Sequence, residues 1–242
     1  MSVKYFYSAA VMAHGFGRSW HKNYKFPDFP RVTQTLTSSP KKGNPHAVIP
    51  LGRSVWNRIA LDNIGFYRWY SWYRSQNLSN IILSLAGTYY QLCQMVHDIN
   101  YGLTINKYFS IAGIEINLSC PNIKLPDILP DDLSYLTNEV ATRNYPVYLK
   151  LRYDRDPYDY DLTNVAGIRL NSVPFIGGGI SGKMAQKKNW SFIERYAPML
   201  NVAGCSFTNE KDIETLIDMG CTEIGIGSII LTNPRLVEGL KI

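Results

Sequence analysis

The sequence has no apolar run long enough to cross a bilayer. Stretches such as Ile81–Leu85 end after a few residues, against about 20 for a membrane helix. The opening residues, Met1-Ser2-Val3-Lys4-Tyr5, hold no apolar signal core and no small-residue cleavage site. A cytoplasmic location is the expectation, with no membrane partner. Cysteine is scarce: Cys93, Cys120, Cys205 and Cys221 form no Cys-x-x-Cys pair. That argues against a zinc module and a disulfide framework, and for a reducing compartment. The histidines His14, His21, His46 and His97 lack metal-ligand spacing, so no metal is expected. There is no Ser-, Gly- or Pro-rich linker and no internal repeat. A single domain over residues 1–242 is the expectation. Large blocks of one charge are missing too. The net charge is +6, but Lys41-Lys42 and Lys187-Lys188 are only pairs. Small anions fit that pattern better than nucleic acid. The acidic run Asp154, Asp156, Asp159 and Asp161 lacks the glycine and closing glutamate of a calcium loop, so a solvated loop is expected there.

What is present alternates. The β-rich runs are Tyr5–Ala10, Val32–Leu36, Ile81–Leu85, Ile114–Leu118, Val147–Leu151, Ala166–Leu170, Met199–Ala203 and Glu223–Ile226. Between them lie helical patterns near Gly65–Ser75, Tyr89–Asp98, Asp132–Ala141, Asn189–Ala197, Glu210–Met219 and Pro234–Leu240. In the Glu210–Met219 pattern, Ile213, Leu216 and Ile217 share a face and Gly220 supplies the stop. The aromatic cluster Trp69, Tyr70, Trp72 and Tyr73 suits core or interface packing. Strands interleaved with helices predict parallel βα units. Their number and the chain length predict an α/β fold, a closed (β/α)8 TIM barrel.

In such barrels the chemistry sits at the C-terminal ends of the strands. Ala86-Gly87, Ser119-Cys120-Pro121-Asn122, Lys150, Asn171-Ser172 and Gly227-Ser228 all fall there. The segment Glu115-Ile116-Asn117-Leu118-Ser119-Cys120-Pro121-Asn122 is the most informative. A strand delivers Asn117, then a Pro-limited turn exposes Cys120 beside Asn122. Asparagines donate and accept, which suits an amide- and carbonyl-rich ring. A thiol can serve as a base if its surroundings bring its pKa toward neutrality. On spacing alone, an inert buried thiol is an equal reading.

Asn-Leu-Ser-Cys-Pro-Asn at 117–122 resembles the signature of the cysteine-type dihydroorotate dehydrogenases. Other segments are similar in the same order: Gly43-Asn44-Pro45, Pro50-Leu51-Gly52, Asn57 to Phe66, Ser84-Leu85-Ala86-Gly87, Leu149-Lys150-Leu151, Leu170-Asn171-Ser172, Gly178-Gly179-Ile180-Ser181-Gly182 and Gly225-Ile226-Gly227-Ser228. The family oxidises dihydroorotate to orotate with FMN, in pyrimidine biosynthesis. The resemblance implies Cys120 as catalytic base. It implies Asn57, Asn117, Asn122, Asn171 and Ser172 as substrate contacts, and Lys150 near the flavin, where positive charge stabilises the reduced form. Ala9, Ala10, Gln34, Gly178, Gly179, Gly204, Cys205, Ser206, Gly227 and Ser228 fall at its cofactor positions. Glycines at Gly178-Gly179 and Gly227 would let backbone approach a phosphate.

The sequence departs from the family pattern at several points. Gln34 stands where the family has a lysine that touches substrate and flavin, and a neutral amide supplies no such charge. Cys205-Ser206 stands where the family has a phosphate-contacting diglycine. The first strand ends in Ser8-Ala9-Ala10-Val11. The segment between Ser172 and Gly178 is short, which predicts that a protruding loop or hairpin at the mouth is missing. The helix before Ala166 is short as well. Three functions therefore stand in order. The first is an FMN-dependent oxidoreductase acting on dihydroorotate or a related pyrimidine. The second is a flavin-binding or scaffold protein that has lost catalysis. The third is a flavin barrel acting on RNA uridines, disfavoured because no helical RNA-binding extension is visible. A soluble electron acceptor follows by elimination, and a homodimer is left open.

Overall fold

The structure, a computed structural model, describes residues 3–9, 11, 22–44, 47–73, 80–105, 111–121, 124–142 and 144–241, with side chains omitted at 103–105. In chain order its elements are β1 (Lys4–Tyr7), β2 (Arg31–Val32), β3 (Val48–Leu51), β4 (Ser54–Asn57), α1 (Phe66–Tyr73), β5 (Ile81–Leu85), α2 (Tyr89–Ile105), β6 (Gly113–Asn117), α3 (Pro130–Ala141), β7 (Val147–Leu151), β8 (Gly167–Leu170), β9 (Val173–Phe175), β10 (Gly178–Gly182), α4 (Lys183–Tyr196), α5 (Glu210–Asp218), β11 (Glu223–Ile226), α6 (Ile229–Thr232) and α7 (Pro234–Glu238). Seven strands form one sheet in the order β11-β1-β2-β5-β6-β7-β8, with every pairing parallel. Two parallel bridges, Ile168 to Val202 and Gly204 to Ile224, carry the ladder from β8 back to β11. The expected run Met199–Ala203 thus contributes a bridge rather than a full strand, and the barrel is nearly closed.

Side-chain alternation divides each strand between two environments. Leu83, Leu85, Ile114, Ile116, Leu149 and Leu151 belong to the large cluster that also holds helix residues such as Leu92, Met95 and Leu136. Phe6, Val32, Ile82, Tyr148 and Ala203 form a separate small cluster inside the barrel. Above it the interior turns polar, with Ser84, Glu115, Lys150 and Arg169 all buried. Two aromatics of the α1 cluster are core: Trp69 and Tyr73 are buried and stack at 4.5 Å, while Tyr70 is half-buried and Trp72 is exposed. Local signals set the helix ends. Pro130 opens α3 with Asp131 and Asp132 in its first turn, which complements the helix dipole. The Asn209 side chain caps α5 by accepting from the Asp212 N–H. In the β7–β8 connection, a single 3-10 turn at Pro157–Asp159 stands where a helix is usual.

A second sheet was not foreseen. Four antiparallel strands, in the order β3-β4-β10-β9, pair outside the barrel. The short segment after Ser172, where a protruding loop or hairpin was expected to be missing, forms the tight β9–β10 hairpin of this sheet. The glycine run at 178–182, expected to be a turn, is strand β10.

Candidate active site

A cavity of ≈ 430 Å³ opens at the C-terminal ends of the parallel strands, within the usual range for small-ligand pockets. Its wall takes Ser8 and Ala9 after β1, Gln34 and Thr35 after β2, and Cys120 and Pro121 after β6. Asn117 closes β6, Lys150 is the last but one residue of β7, and Asn171 and Ser172 follow β8. Cys205 and Ser206 follow the segment that bridges at Val202 and Gly204, and Gly227 and Ser228 follow β11. The second sheet roofs it with Val48, Pro50, Val55, Asn57 and Ser181. Most of the residues that sequence reasoning brought forward thus share one cavity. Asn122 and Ala10 lie outside the described residues.

Gly178, Gly179 and Gly204 are not in the wall. The reason at the first two is packing. A Cβ at Gly178 would strike the Asn57 carbonyl oxygen, and one at Gly179 would lie 2.5 Å from Ser172 Oγ and 2.8 Å from Pro121 Cγ. These glycines let β10 press onto β4 and onto the two cavity loops. A Cβ at Gly204 would meet Leu216 and Ile224 at 3.2–3.3 Å, on the helix-facing side of the barrel.

The polar groups at the floor form a directed chain. Asn171 Nδ2 donates to Asn117 Oδ1 at 3.0 Å and to the Ser119 carbonyl. Asn117 Nδ2 donates to Thr35 Oγ1 at 3.0 Å. Thr35 and Ser84 hydroxyls are 2.9 Å apart, and Ser84 Oγ donates to Glu115 Oε1 at 2.8 Å. Every donor in the chain points toward Glu115, which fits an ionised carboxylate that only accepts. Lys150 Nζ donates to the same oxygen at 3.2 Å. On the other oxygen, Arg169 Nη1 stands at 3.5 Å. Burial pushes the Glu115 carboxyl up. Lys150, Arg169 and the Ser84 hydroxyl outweigh it and hold the carboxyl below its ordinary value. Sequence reasoning gave Glu115 and Arg169 no role. Their signal is a lone charge inside an otherwise apolar strand.

Gln34 is buried, and its side-chain amide donates to the Asp62 carbonyl. It ties the mouth loop after β4 to the barrel rim. That loop carries Ala60 and Leu61 at φ 56° and 57°, a strained pair for residues with Cβ atoms. At the opposite end, Asn189 Nδ2 donates to Ser206 Oγ at 2.9 Å and Trp190 Nε1 to the Cys205 carbonyl at 2.9 Å. Burial pushes the Cys205 thiol up to about 11, so it stays neutral beside any anion there. None of the four cysteines is in a disulfide. Among the described residues no cluster of three or more His, Cys, Asp or Glu could hold a metal, and no helix is long and apolar enough to cross a membrane.

The catalytic subunit of dihydroorotate dehydrogenase B (NAD(+)) from Thermotoga petrophila is 25% identical, over 86% of this chain and 84% of that protein. The subunit of that name from Listeria monocytogenes serotype 4b is 23% identical, over 93% of this chain and 84% of that protein. The chain is a distant relative of dihydroorotate dehydrogenase. No family model matches. Among solved structures, the tryptophan synthase α-subunit of Pyrococcus furiosus superposes with a TM-score of 0.53 at 12% identity, over 98% of this chain and 93% of that one. At that identity the likeness shows the barrel fold alone.

Proposed function

We propose that this chain is an FMN-dependent oxidoreductase of the cysteine-type dihydroorotate dehydrogenase kind, acting on dihydroorotate or a closely related pyrimidine. One observation carries the reading: Cys120, Asn57, Asn117, Asn171, Ser172 and Lys150 share the wall of one cavity. The residues present fit FMN. The cavity wall combines amides (Asn57, Asn117 and Asn171), hydroxyls (Ser181, Ser206 and Ser228) and apolar side chains (Val48, Pro50, Val55, Ile59 and Leu61). Ser206, Gly227 and Ser228, with Ser181 from β10, would hold the phosphate. Lys150 would stand against the electron-rich edge of the ring system. When bound, FMN supplies the acceptor for the two electrons of the oxidation.

The remaining chemistry belongs to the chain. Cys120 takes up the substrate proton at Sγ. Asn117 and Asn171 are held by each other and by Thr35, so they meet the substrate amides already oriented. The roof sheet keeps water from the reacting atoms. A soluble molecule then takes the electrons onward, and the protein works in the cytoplasm.

Gln34 favours a second reading, a flavin-binding protein without catalysis. Its amide is engaged by the mouth loop and brings no charge to the ligand. Anaerobic titration with dihydroorotate separates the two. Bleaching of bound FMN in the parent, and none in Cys120→Ala, supports the enzyme. Bound FMN that dihydroorotate does not bleach supports the second reading or another substrate.

A further inference from the structure

Four buried or part-buried charges run through the barrel: Glu223, Arg169, Glu115 and Lys150. Arg169 and Lys150 are in register on adjacent strands. The Arg169 guanidinium is 3% exposed and lies 3.9 Å from the Phe6 ring centroid and 3.6 Å from that of Tyr148. Its Nη1 is 3.5 Å from Glu115 and its Nη2 is 3.6 Å from Glu223. Nε and Nη1 make no hydrogen bond. These separations exceed the 2.7–2.9 Å of a charge-assisted hydrogen bond. Arg169 therefore acts as a fixed charge clamped between two rings, not as a donor. The signs alternate along the column, and Lys150 alone of the four lines the cavity.

We infer that Arg169 is a positioning residue that acts through Glu115 to keep the Lys150 ammonium available to an anionic or electron-rich ligand. With Arg169 present, Glu115 divides its charge between two cations. Without it, Glu115 has Lys150 alone, draws the ammonium in and cancels its field at the cavity. Glu223 works in the opposite sense, because it competes for Arg169. An alternating column makes an alternating prediction: removing Arg169 weakens the cavity cation, and removing Glu223 strengthens it. A residue that only packs between Phe6 and Tyr148 makes no such prediction. The first test below rests on the FMN reading; the second does not.

The first test measures, in the full chain, the affinity for chemically reduced FMN relative to oxidised FMN. Arg169→Met is expected to lower that ratio roughly tenfold, the scale of losing a charge-assisted contact. Arg169→Lys is expected to restore most of it. Glu223→Gln, a mild change at a residue 15% exposed, is expected to raise it several-fold, and it keeps the test usable if Arg169→Met does not fold. In a Lys150→Met background neither change moves the ratio. The second test uses the flavin-free protein and acetic anhydride, with Lys150 acetylation read by mass spectrometry. The rate falls several-fold in Arg169→Met and rises in Glu223→Gln. Shifts of the same sign in the two variants, or an Arg169 effect that persists without Lys150, overturn the inference. Failure to bind FMN while the labelling rates alternate in sign rejects the proposed function and leaves the column standing.

Discussion

Replacing Glu115 by Gln keeps the shape and removes the charge on which the barrel floor converges. The carboxylate is 1% exposed and faces Lys150 at 3.2 Å and Arg169 at 3.5 Å. It also ends the donor chain through Ser84. In the variant, two cations lose their shared counterion, and Arg169 keeps only Glu223. Breaking a buried pair in this way costs about 3–5 kcal/mol, a large part of the roughly 5–15 kcal/mol that holds a domain together. For a chain of this size that is a fall in Tm of roughly 6–20 °C. The pH dependence adds a sign. The folded carboxyl lies below its ordinary 4.5, so the folded state binds fewer protons there than the unfolded state. The stability it supplies is full above the ordinary value and is lost as pH falls through the lower folded value. Glu115→Gln lacks that slope. Urea unfolding of both proteins from pH 7 down to the acid limit measures both effects. A variant within about 0.5 kcal/mol of the parent at pH 7, a difference typical of a surface change, would show that the floor does not depend on the Glu115 charge. So would an unchanged slope below pH 4.5.

Three further outcomes follow from the site. Gln34→Lys keeps a donor for the Asp62 carbonyl and adds a charge at the rim. Anaerobic bleaching by dihydroorotate should speed up about tenfold, the difference between a neutral and a charge-assisted contact; an unchanged rate shows that the position is indifferent. Cys120→Ala should leave the dissociation constant for FMN within about threefold of the parent while removing bleaching, because base and cofactor contacts are separate; a parental bleaching rate sinks the thiol as base. Gly179→Ala places a Cβ at 2.5 Å from Ser172 Oγ and 2.8 Å from Pro121 Cγ. Overpacking of that kind costs about 1–3 kcal/mol, measurable by urea unfolding, and a neutral result would mean that the roof sheet shifts freely.

The barrel strands were legible because their runs are short and mostly apolar, as in Ile81–Leu85 and Val147–Leu151, each with one polar residue, Ser84 and Lys150. The roof sheet was not. Its strands carry Pro50, Pro174 and the glycines of 178–182, residues that depress strand propensity and read as turns. Helix α2 runs to Ile105, beyond the expected Asp98, and passes through Gly102. Its missing side chain leaves room for the Tyr70 hydroxyl. Helix α4 starts at Lys183 rather than Asn189, since Met184 and Ala185 are the two apolar residues before Trp190 and show little apolar period. At the site, residues at strand ends were legible from the barrel rule. The support beneath them was not. Whether Arg169 meets Glu115 depends on the register between strands far apart in sequence, which no local pattern carries.

The proposed function stands or falls on whether this cavity holds FMN. The absorbance spectrum of the purified full chain, before and after incubation with FMN and gel filtration, tests it most directly. A yellow protein that retains one non-covalent FMN per chain, released intact on denaturation, is expected. A colourless protein that takes up no FMN would contradict the proposed function.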